Sequence, residues 1–421
     1  MSLATLPNAL RQEEGMMLTV QEARQRMLAT IPVLPTETRD ILNCDGYVLA
    51  EALYATEDIP PFDNSAMDGF AVRAADVKAA SEAHPAVLTL VETLAAGDAP
   101  TQPVGSGQAA RIMTGAMMPS GADAVVMQEV TEIGRNSGPD AAIVKIFEGV
   151  DEKQNVRFAG ESVKNGALVM EPGKHLRPPE ISMLASLNRA EVTVHRKPIV
   201  AVVSTGDELT RLGEPLAPGK IRDSNRYGIY AQVKEAGGIP IDMGIAPDDE
   251  AETERIFRTA LAQADALITS GGVSVGEYDV VRNVLERLGE IHFWRVAMKP
   301  GKPQAYGIAD GKPIFGLPGN PVSSLVVFEL FVRPALLKMA GHSALLRPTF
   351  KATLAEHVVN RDGRVNYMRA ILTEENGIWN ARTTGPQGSG ILHSLVLANG
   401  LITIPTGATL TAGETVVAQF F

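Results

Sequence analysis

Cysteine is nearly absent from this sequence, because Cys44 is the only one among 421 residues. A single thiol excludes an internal disulfide and a cysteine-rich zinc site. The chain also lacks a His-Glu-x-x-His motif and the ordered serine, histidine and aspartate of a hydrolase triad. Its seven histidines are scattered, and we assign none of them a role.

An excess of positive charge is missing as well. Lysine and arginine number 38 against 49 aspartates and glutamates, which gives a net charge of −11. This balance disfavours nucleic acid and anionic membranes as partners. It also means that any anionic substrate has to meet a local basic pocket.

Long apolar runs are the third absence. The chain has no stretch of roughly 18 consecutive apolar residues, so we expect no segment to span a membrane. The N-terminal residues lack a basic region followed by an apolar one. We therefore expect no signal peptide and a cytoplasmic protein.

What the sequence does contain is enough apolar residues for several cores. Hydrophobic residues make up 45% of the chain and charged residues 21%, as in globular proteins of several domains. Residues 85–150 carry short β-like runs, and from residue 197 apolar strands alternate with amphipathic helices. This alternation predicts an α/β domain with a mostly parallel sheet. Residues 347–421 return to short strands and predict a small β-barrel or sandwich.

Within the α/β part, the stretch 266–289 joins a predicted strand, a glycine-rich loop and a predicted helix. The free N–H groups of such a loop, together with the helix N-terminus, can hold an anion. The loop offers glycines, hydroxyls and carboxylates at Ser270, Gly271, Gly272, Ser274, Glu277 and Asp279. Two interpretations stay open: a phosphate site whose carboxylates could hold a metal, or an ordinary turn in which Asp279 caps the helix.

Loops rich in glycine, proline and charge follow each predicted strand of this domain. They cover 204–208, 247–249, 270–279, 299–303 and 318–321. Ligands of parallel sheets bind beyond the carboxyl ends of the strands. Five such loops at one edge therefore favour a binding site over chance.

The acidic residues of these loops suit a hard cation. Glu208, Asp248 and Asp279 follow three different strands, and Mg²⁺ is typically held by one or two carboxylates together with substrate phosphates. The alternative for each residue is helix N-capping.

The basic residues suit an anion. Lys299 and Lys302 flank a Pro-Gly turn, with Arg295 upstream, and a rigid loop with two cations suits a pyrophosphate or oxyanion. The alternative is a solvated turn.

The α/β domain carries two further predictions. A strand is expected over 291–298 and the next one over 313–317. A helix capped by Asn320 should run to Met339, with a kink at Pro334.

Six stretches of the sequence, in this order, resemble one family. They are PPFDNSAMDGFAV, RIMTGA, VVSTGDEL, SGGVSVGEYD, FWRVAMKPGKP and FGLPGNPVS. Over about residues 18–415 the chain is similar to the molybdopterin molybdenumtransferase family, which includes MoeA and the gephyrin E domain.

The resemblance implies an activity and an assembly. Members take adenylylated molybdopterin and molybdate, hydrolyse the adenylate with Mg²⁺, insert molybdenum into the dithiolene and release AMP. They are elongated homodimers with an active-site cleft shared between subunits, and contact with the molybdopterin adenylyltransferase is expected. Two alternatives stay open: a related α/β enzyme that adenylylates molybdopterin, and a gephyrin-like scaffold without catalysis.

The resemblance also implies roles for individual residues. Catalytic roles fall on Asp68, Thr114, Glu208, Asp248 and Asp279, of which Asp248 and Asp279 would hold the Mg²⁺. Substrate-binding roles fall on Ser204, Thr205, Gly206, Ser270, Gly271, Gly272, Ser274, Lys299, Lys302, Pro318 and Pro321. Two positions depart from the family: Ser162 stands where many relatives have aspartate, and Arg295 where many have lysine.

Together with the patterns above, the resemblance predicts a multidomain α/β plus β fold. A tail at 1–16 that we expect to be mobile precedes an α/β domain at 17–36 and 197–346. A small linking domain at 37–56 and 165–196 joins a β-rich domain at 57–164. A C-terminal β-barrel-like domain covers 347–421.

Overall fold

The computed structural model describes residues 17–135, 142–272 and 280–421. The predicted tail at 1–16 and three loop residues, Ser274, Glu277 and Asp279, lie outside this range. The chain divides into two compact units. The first extends to Ala50 and includes Gly173–Arg177 and Glu191–Phe421, and the second comprises Glu51–Pro172 and Pro178–Ala190. The finer division into four domains stays a prediction.

A six-stranded sheet lies at the centre of the first unit. Its strands, in spatial order, are Ile239–Ala246, Ile199–Thr205, Ala266–Ser270, Lys312–Leu317, Pro303–Ala309 and Glu290–Arg295. The first four run parallel. Every residue of Ala266–Ser270 is buried, as expected for a strand covered by helices on both faces. The prediction of a mostly parallel sheet in an α/β domain is confirmed.

Helices cover both faces of this sheet. They are Val20–Thr30, Asn225–Glu235, Glu250–Gln263, Val280–Leu288 and the run from Pro321 to Met339. The first begins with a capping box in which Thr19 and Glu22 satisfy each other's backbone N–H groups. The predicted apolar face of the fourth is buried at Val281, Val284 and Leu285. No helix in the described ranges is long and apolar enough to cross a membrane.

One strand of this sheet was not predicted. Pro303–Ala309 pairs antiparallel with both Lys312–Leu317 and Glu290–Arg295. From the sequence, Pro303 is placed in the loop 299–303 and no element is assigned to 304–309, yet proline is tolerated as the first residue of a strand. Gly307 is required because a Cβ there would collide with the backbone of Glu290 and Ile291.

The predicted strand 291–298 is divided in the structure. It ends at Arg295, and Met298–Lys299 pairs instead with Val365–Asn366 of the C-terminal sheet. Residues 298–299 therefore follow the last strand of the α/β sheet in the chain but form hydrogen bonds with a strand of the C-terminal sheet.

The last helix is interrupted earlier than predicted. An α-helix at Pro321–Val327 passes into a π-helical turn at Phe328–Val332 and resumes as Arg333–Met339. Pro334 lies in the first turn of the last segment, where its missing N–H is tolerated. Asn320 occupies the N-cap position, but its side chain makes no capping hydrogen bond.

The C-terminal part closes into a barrel. Its strands, in spatial order, are Val365–Glu375, Ile378–Thr383, Phe350–Leu354, Thr415–Phe420 and Gly400–Ile404, and the last pairs back with the first. The barrel core is formed by alternating apolar residues such as Ala352, Leu354 and Ile402. The predicted barrel-like domain is confirmed.

The remaining elements of the first unit are short. They are the sheet of Thr36–Asp40, Glu191–His195 and Val48–Leu49, the pairs Leu209–Thr210 with Ile221–Arg222 and Val358–Val359 with Thr409–Leu410, the 3-10 turn Ile41–Asn43 and the helix His393–Leu397.

The second unit is built on its own six-stranded sheet. In spatial order the strands are Ala124–Met127, Gly69–Val72, Gln108–Ile112, Ala86–Leu94, Ala142–Ile146 and Thr131–Arg135. Shorter elements complete the unit: Leu53–Tyr54, Asn64–Ser65, Ala74–Val77, Gln128–Val130, Val156–Arg157, Leu168–Met170 and the helix Pro178–Ser186. Little helix and many short strands agree with the predicted β-rich character.

Gly69 lies where an interior strand of this sheet, Gly69–Val72, begins. The strand pairs with neighbours on both sides, and a Cβ at Gly69 would overlap the carbonyl oxygen of Val126. Any larger residue therefore has to displace backbone. The glycine of the Met67-Asp68-Gly69 stretch is accordingly explained by packing.

We expect Gly69→Ala to destabilise the second unit by about 3 kcal/mol, because the new methyl group meets backbone that cannot rotate away. Hydrogen exchange of the amides in Gly69–Val72 and Ala124–Met127, followed by mass spectrometry, measures this loss. Gly134→Ala is the matched control, because a Cβ there meets only ordinary contacts with Ile143. Equal exchange in the two variants would contradict the packing argument.

Candidate active site

The loops that carry the predicted site residues of the first unit share one edge of its sheet. Parallel pairing aligns Ser204 with Ser270, and Ser270 with Leu317. The strand ending at Arg295 runs in the same direction, since two antiparallel pairings separate it from Lys312–Leu317. We call this side of the sheet the carboxyl edge.

At the centre of the carboxyl edge three loops pack closely. The Thr205 hydroxyl donates to the Ser270 carbonyl at 3.2 Å, and the Gly271 N–H donates to the Leu317 carbonyl at 3.1 Å. Gly271 has a φ of 103°, and a Cβ there would lie 2.8 Å from the Thr205 oxygens. Glycine is therefore needed for both conformation and space. The Gly271 amide, being already bonded, is not available to an anion.

Asn225, the first residue of helix Asn225–Glu235, connects two of these loops. Its Nδ2 donates to Ser270 Oγ at 2.9 Å and to the Gly319 carbonyl at 2.7 Å. Its Oδ1 is buried and has no partner among the described residues. Asn225 was not predicted as a site residue from the sequence.

Beneath Asn225 lies a buried ionic network that also escaped the sequence analysis. Asp223, 1% exposed, accepts from Ser204 Oγ at 2.8 Å and from Arg226 Nε at 2.7 Å. Arg226 also contacts Asp242. Burial alone would lower the pKa of Arg226, but its two carboxylate partners outweigh burial and raise that pKa. In the sequence, only the polar and charged run Asp223-Ser224-Asn225-Arg226 at a helix start could have indicated this network.

A cavity opens above this network at the carboxyl edge. Six predicted residues line it: Ser204, Thr205, Glu208, Ser270, Gly271 and Pro321. The unpredicted Asp223, Ser224, Asn225 and Gly319 line it as well. The structure thus brings together loops from three strands around one concave surface, as ligand sites of such sheets require.

Two adjacent aspartates at the carboxyl edge, Asp248 and Asp249, make different contacts. The helix after the second strand is capped by Asp249, whose side chain accepts from the Glu252 N–H. Asp248 is therefore not the cap. Its carboxylate accepts from the Asp207 N–H at 3.2 Å, and its own N–H donates to Asp207 Oδ1 at 3.1 Å. The capping alternative is wrong for Asp248, which remains exposed.

The lysine loop is held by the C-terminal part of the first unit. Asp362 makes two hydrogen bonds to Arg364, at 2.6 and 2.5 Å, and lies 3.8 Å from Lys299 Nζ. These bonds, and then the charges of Arg364, Lys299 and Lys302, hold the pKa of Asp362 below its usual value. Lys299 also lines a cavity with Asn360. The lysines lie on a loop braced by the barrel, and they do not line the cavity described above.

In the second unit the structure places two predicted residues in contact. Asp68 Oδ1 accepts from the Thr114 N–H at 2.7 Å and from Thr114 Oγ1 at 2.8 Å. The backbone hydrogen bond first, then the hydroxyl, lowers the pKa of Asp68. Both side chains are exposed, so an ionised carboxylate is presented to solvent in a fixed orientation.

Ser274 and Asp279 stay without a structural test, because they lie outside the described residues, and Gly272 is described but does not line the cavity. Pro318 and Gly206 lie in loops of the carboxyl edge but do not line its cavity. Among the described residues, no three histidine, cysteine or acidic side chains are close enough to hold a metal ion on their own.

Comparison with known proteins gives consistent matches along the chain. Residues 18–188 match the MoeA N-terminal region (domain I and II). Residues 201–338 match a probable molybdopterin binding domain, and 351–421 the MoeA C-terminal region (domain IV).

Relatives of similar length share about two fifths of the sequence. The chain is 39% identical over 410 residues to a molybdopterin molybdenumtransferase of Haemophilus influenzae, covering 96% of this chain and 99% of that one. It is 39% identical over 389 residues to a protein of the same name from a Nostoc species, covering 91% and 88%. A crystal structure of the molybdopterin biosynthesis moeA protein from Pyrococcus horikoshii is similar too, with 33% identity, a TM-score of 0.81 and coverage of 96% and 100%.

We expect Thr114→Val to raise the pKa of Asp68, because the variant loses one of the two hydrogen bonds that stabilise the charged carboxylate. Thr114→Ser keeps a hydroxyl and should leave that pKa lowered. The carboxyl carbon of Asp68, followed by NMR in protein labelled at aspartate, reports both values. An unchanged pKa in Thr114→Val would mean that the hydroxyl does not bond to Asp68 in solution.

Proposed function

The chain belongs to the molybdopterin molybdenumtransferase family, and we propose that it inserts molybdenum from molybdate into adenylylated molybdopterin with release of AMP. The observation that carries this proposal is the match over nearly the whole chain to proteins of that name. The cavity at the carboxyl edge, lined by loops of the matched molybdopterin-binding region, supports it.

The chemistry of the site suits this substrate. Release of AMP from an adenylate requires neutralisation of charge on the phosphates and an oriented nucleophile, an oxygen of water or of molybdate, that attacks the phosphoanhydride as AMP leaves. Lys299 and Lys302 offer two cations on a braced loop in a protein with net charge −11. Ser270 accepts from Asn225, which leaves its own hydroxyl hydrogen for a phosphate oxygen.

A Mg²⁺ ion is part of the proposal. Asp248 presents an exposed carboxylate at the carboxyl edge, free of a capping role. Such an ion commonly uses one or two carboxylates and completes its shell with water and substrate phosphates. We assign Asp248 and the sequence-predicted Asp279 as its ligands. The ion would neutralise phosphate charge when bound.

The proposal also includes an active site shared between two copies of the chain. Asp68 and Thr114 belong to the second compact unit, whereas Glu208, Asp248 and the lysine loop belong to the first. The resemblance implies that these sets face each other across a homodimer. In that arrangement the second unit of one copy contributes the ionised carboxylate of Asp68 to the site of the other copy.

Two other functions are less well supported. An enzyme that adenylylates molybdopterin needs only the α/β region, but this chain also matches the N-terminal and C-terminal MoeA regions. A scaffold without catalysis would not need the ordered Asp68–Thr114 pair. Contact with the adenylyltransferase stays a prediction.

We expect purified protein to release AMP from adenylylated molybdopterin when molybdate and Mg²⁺ are present. Release should stop when EDTA removes the metal and return when Mg²⁺ is restored. A parallel reaction with ATP and molybdopterin tests the adenylylation alternative. Adenylylation in that reaction, without release in the first, would overturn the proposal, and inactivity in both would favour the scaffold.

A mixture of Asp68→Ala and Asp248→Ala subunits should recover activity that neither variant has alone. In a heterodimer with a shared cleft, one of the two sites would contain both intact residues. About a quarter of the wild-type activity is expected, since random pairing makes half of the dimers mixed and each has one intact site of two. Mixing each variant with itself is the control. No recovery, despite subunit exchange confirmed by mass spectrometry, would contradict the shared site.

A further inference from the structure

We infer that Asn225 is a positioning residue for the carboxyl-edge cavity, holding the Ser270–Gly271 loop and the Gly319 loop at a fixed separation for the substrate. This inference rests on the proposed function. Asn225 is not among the residues that the family resemblance implies. Its two bonds reach residues 45 and 94 positions away in the chain.

The orientation of the amide is determined by its partners. The Gly319 carbonyl can only accept a hydrogen bond, so the atom 2.7 Å from it must be the Nδ2 donor. The second hydrogen of the same nitrogen points to Ser270 Oγ. One NH₂ group therefore connects both loops, and rotation of the amide by 180° would break the bond to the Gly319 carbonyl, because two oxygens would then face each other.

This orientation is kept although it leaves Oδ1 without a partner among the described residues. A buried acceptor without a hydrogen bond is costly, but Gln232 Oε1 is also buried without a partner among the described residues, so what distinguishes Asn225 is its position at the cavity. The two donor bonds to the loops are retained at the expense of the acceptor.

Helix packing does not require Asn225. The helices Asn225–Glu235 and Pro321–Val327 are already joined further along, where Gly228 packs against Leu325 and Gln232 Nε2 donates to the Leu325 carbonyl at 3.1 Å. Gly319 also approaches Gly271, so the loops touch directly as well. Asn225 thus sets how the edges of the cavity meet, while other contacts hold the helices together.

The test compares Asn225→Ala with Gln232→Ala. Both remove a side-chain amide that bonds a backbone carbonyl near the helix Pro321–Val327, but only Asn225 lines the cavity. We expect Asn225→Ala to raise the KM for adenylylated molybdopterin by about tenfold with a smaller change in kcat, since one or two hydrogen bonds are lost. Gln232→Ala should leave KM within about twofold. Equal KM in the two variants, with both folded by thermal unfolding, would overturn the inference.

Asn225→Asp provides a second readout that simple loss of packing would not change. The protonated carboxyl group of the introduced aspartate can donate a hydrogen bond to the Gly319 carbonyl, as the amide does. The ionised carboxylate has no proton to donate and is repelled by that oxygen. The ratio of variant to wild-type kcat/KM should therefore rise as the pH falls, because only the protonated form of the introduced carboxyl group restores the bond. A ratio independent of pH would contradict the positioning role.

The outcomes separate this inference from the proposed function. If the wild type binds adenylylated molybdopterin but releases no AMP, the proposed function fails. Equilibrium dialysis of the three variants against that ligand still tests whether Asn225 positions the cavity loops. Weaker binding by Asn225→Ala than by Gln232→Ala would then support the inference. If the wild type does not bind the ligand, both are overturned.

Discussion

Parallel strand pairing is the constraint on which the proposed site depends. Four parallel strands end at one edge, so loops far apart in sequence meet there, and contacts such as those of Asn225 then set their separation. The strands themselves are stabilised by burial on both faces, as in Ala266–Ser270. Since the sheet core is insensitive to the residues of the loop after each strand, these loops can carry glycine, charge and hydroxyls at little cost to stability.

Although the protein is acidic overall, local contacts determine which of its positive charges are neutralised and which stay available to a substrate. Arg226 is neutralised below the cavity by two aspartates, so it contributes orientation to Ser204 through Asp223 rather than a free positive charge. The lysine loop, in contrast, is braced from the barrel by Asp362 and Arg364. Its cations stay at the surface, where an anionic substrate can reach them.

Sequence patterns predicted the elements whose stability is local. Continuous apolar strands and capped amphipathic helices follow from burial and hydrogen bonding within a few residues, and Thr19 with Glu22 is an example. Pro303–Ala309 was missed because its glycine is explained only by the strand that crosses beside it. A tertiary contact overrode the local propensity there.

The site was predictable in its location but not in its contacts. Loop composition and the rule for parallel sheets indicated the edge, while Asp68 and Thr114 were assigned to the site from the family resemblance alone and their contact was not predicted. Asn225 and Asp223 resemble an ordinary helix start in the sequence. Their roles depend on partners such as Gly319 and Ser204, which only the folded chain brings close.

The central claim is that the carboxyl-edge cavity receives adenylylated molybdopterin. A crystal structure of the protein with this ligand tests it most directly. We expect density for the ligand against Thr205, Ser270 and Pro321, with a phosphate within hydrogen-bonding distance of the Ser270 hydroxyl. Density for the ligand elsewhere, with this cavity filled by water, would contradict it.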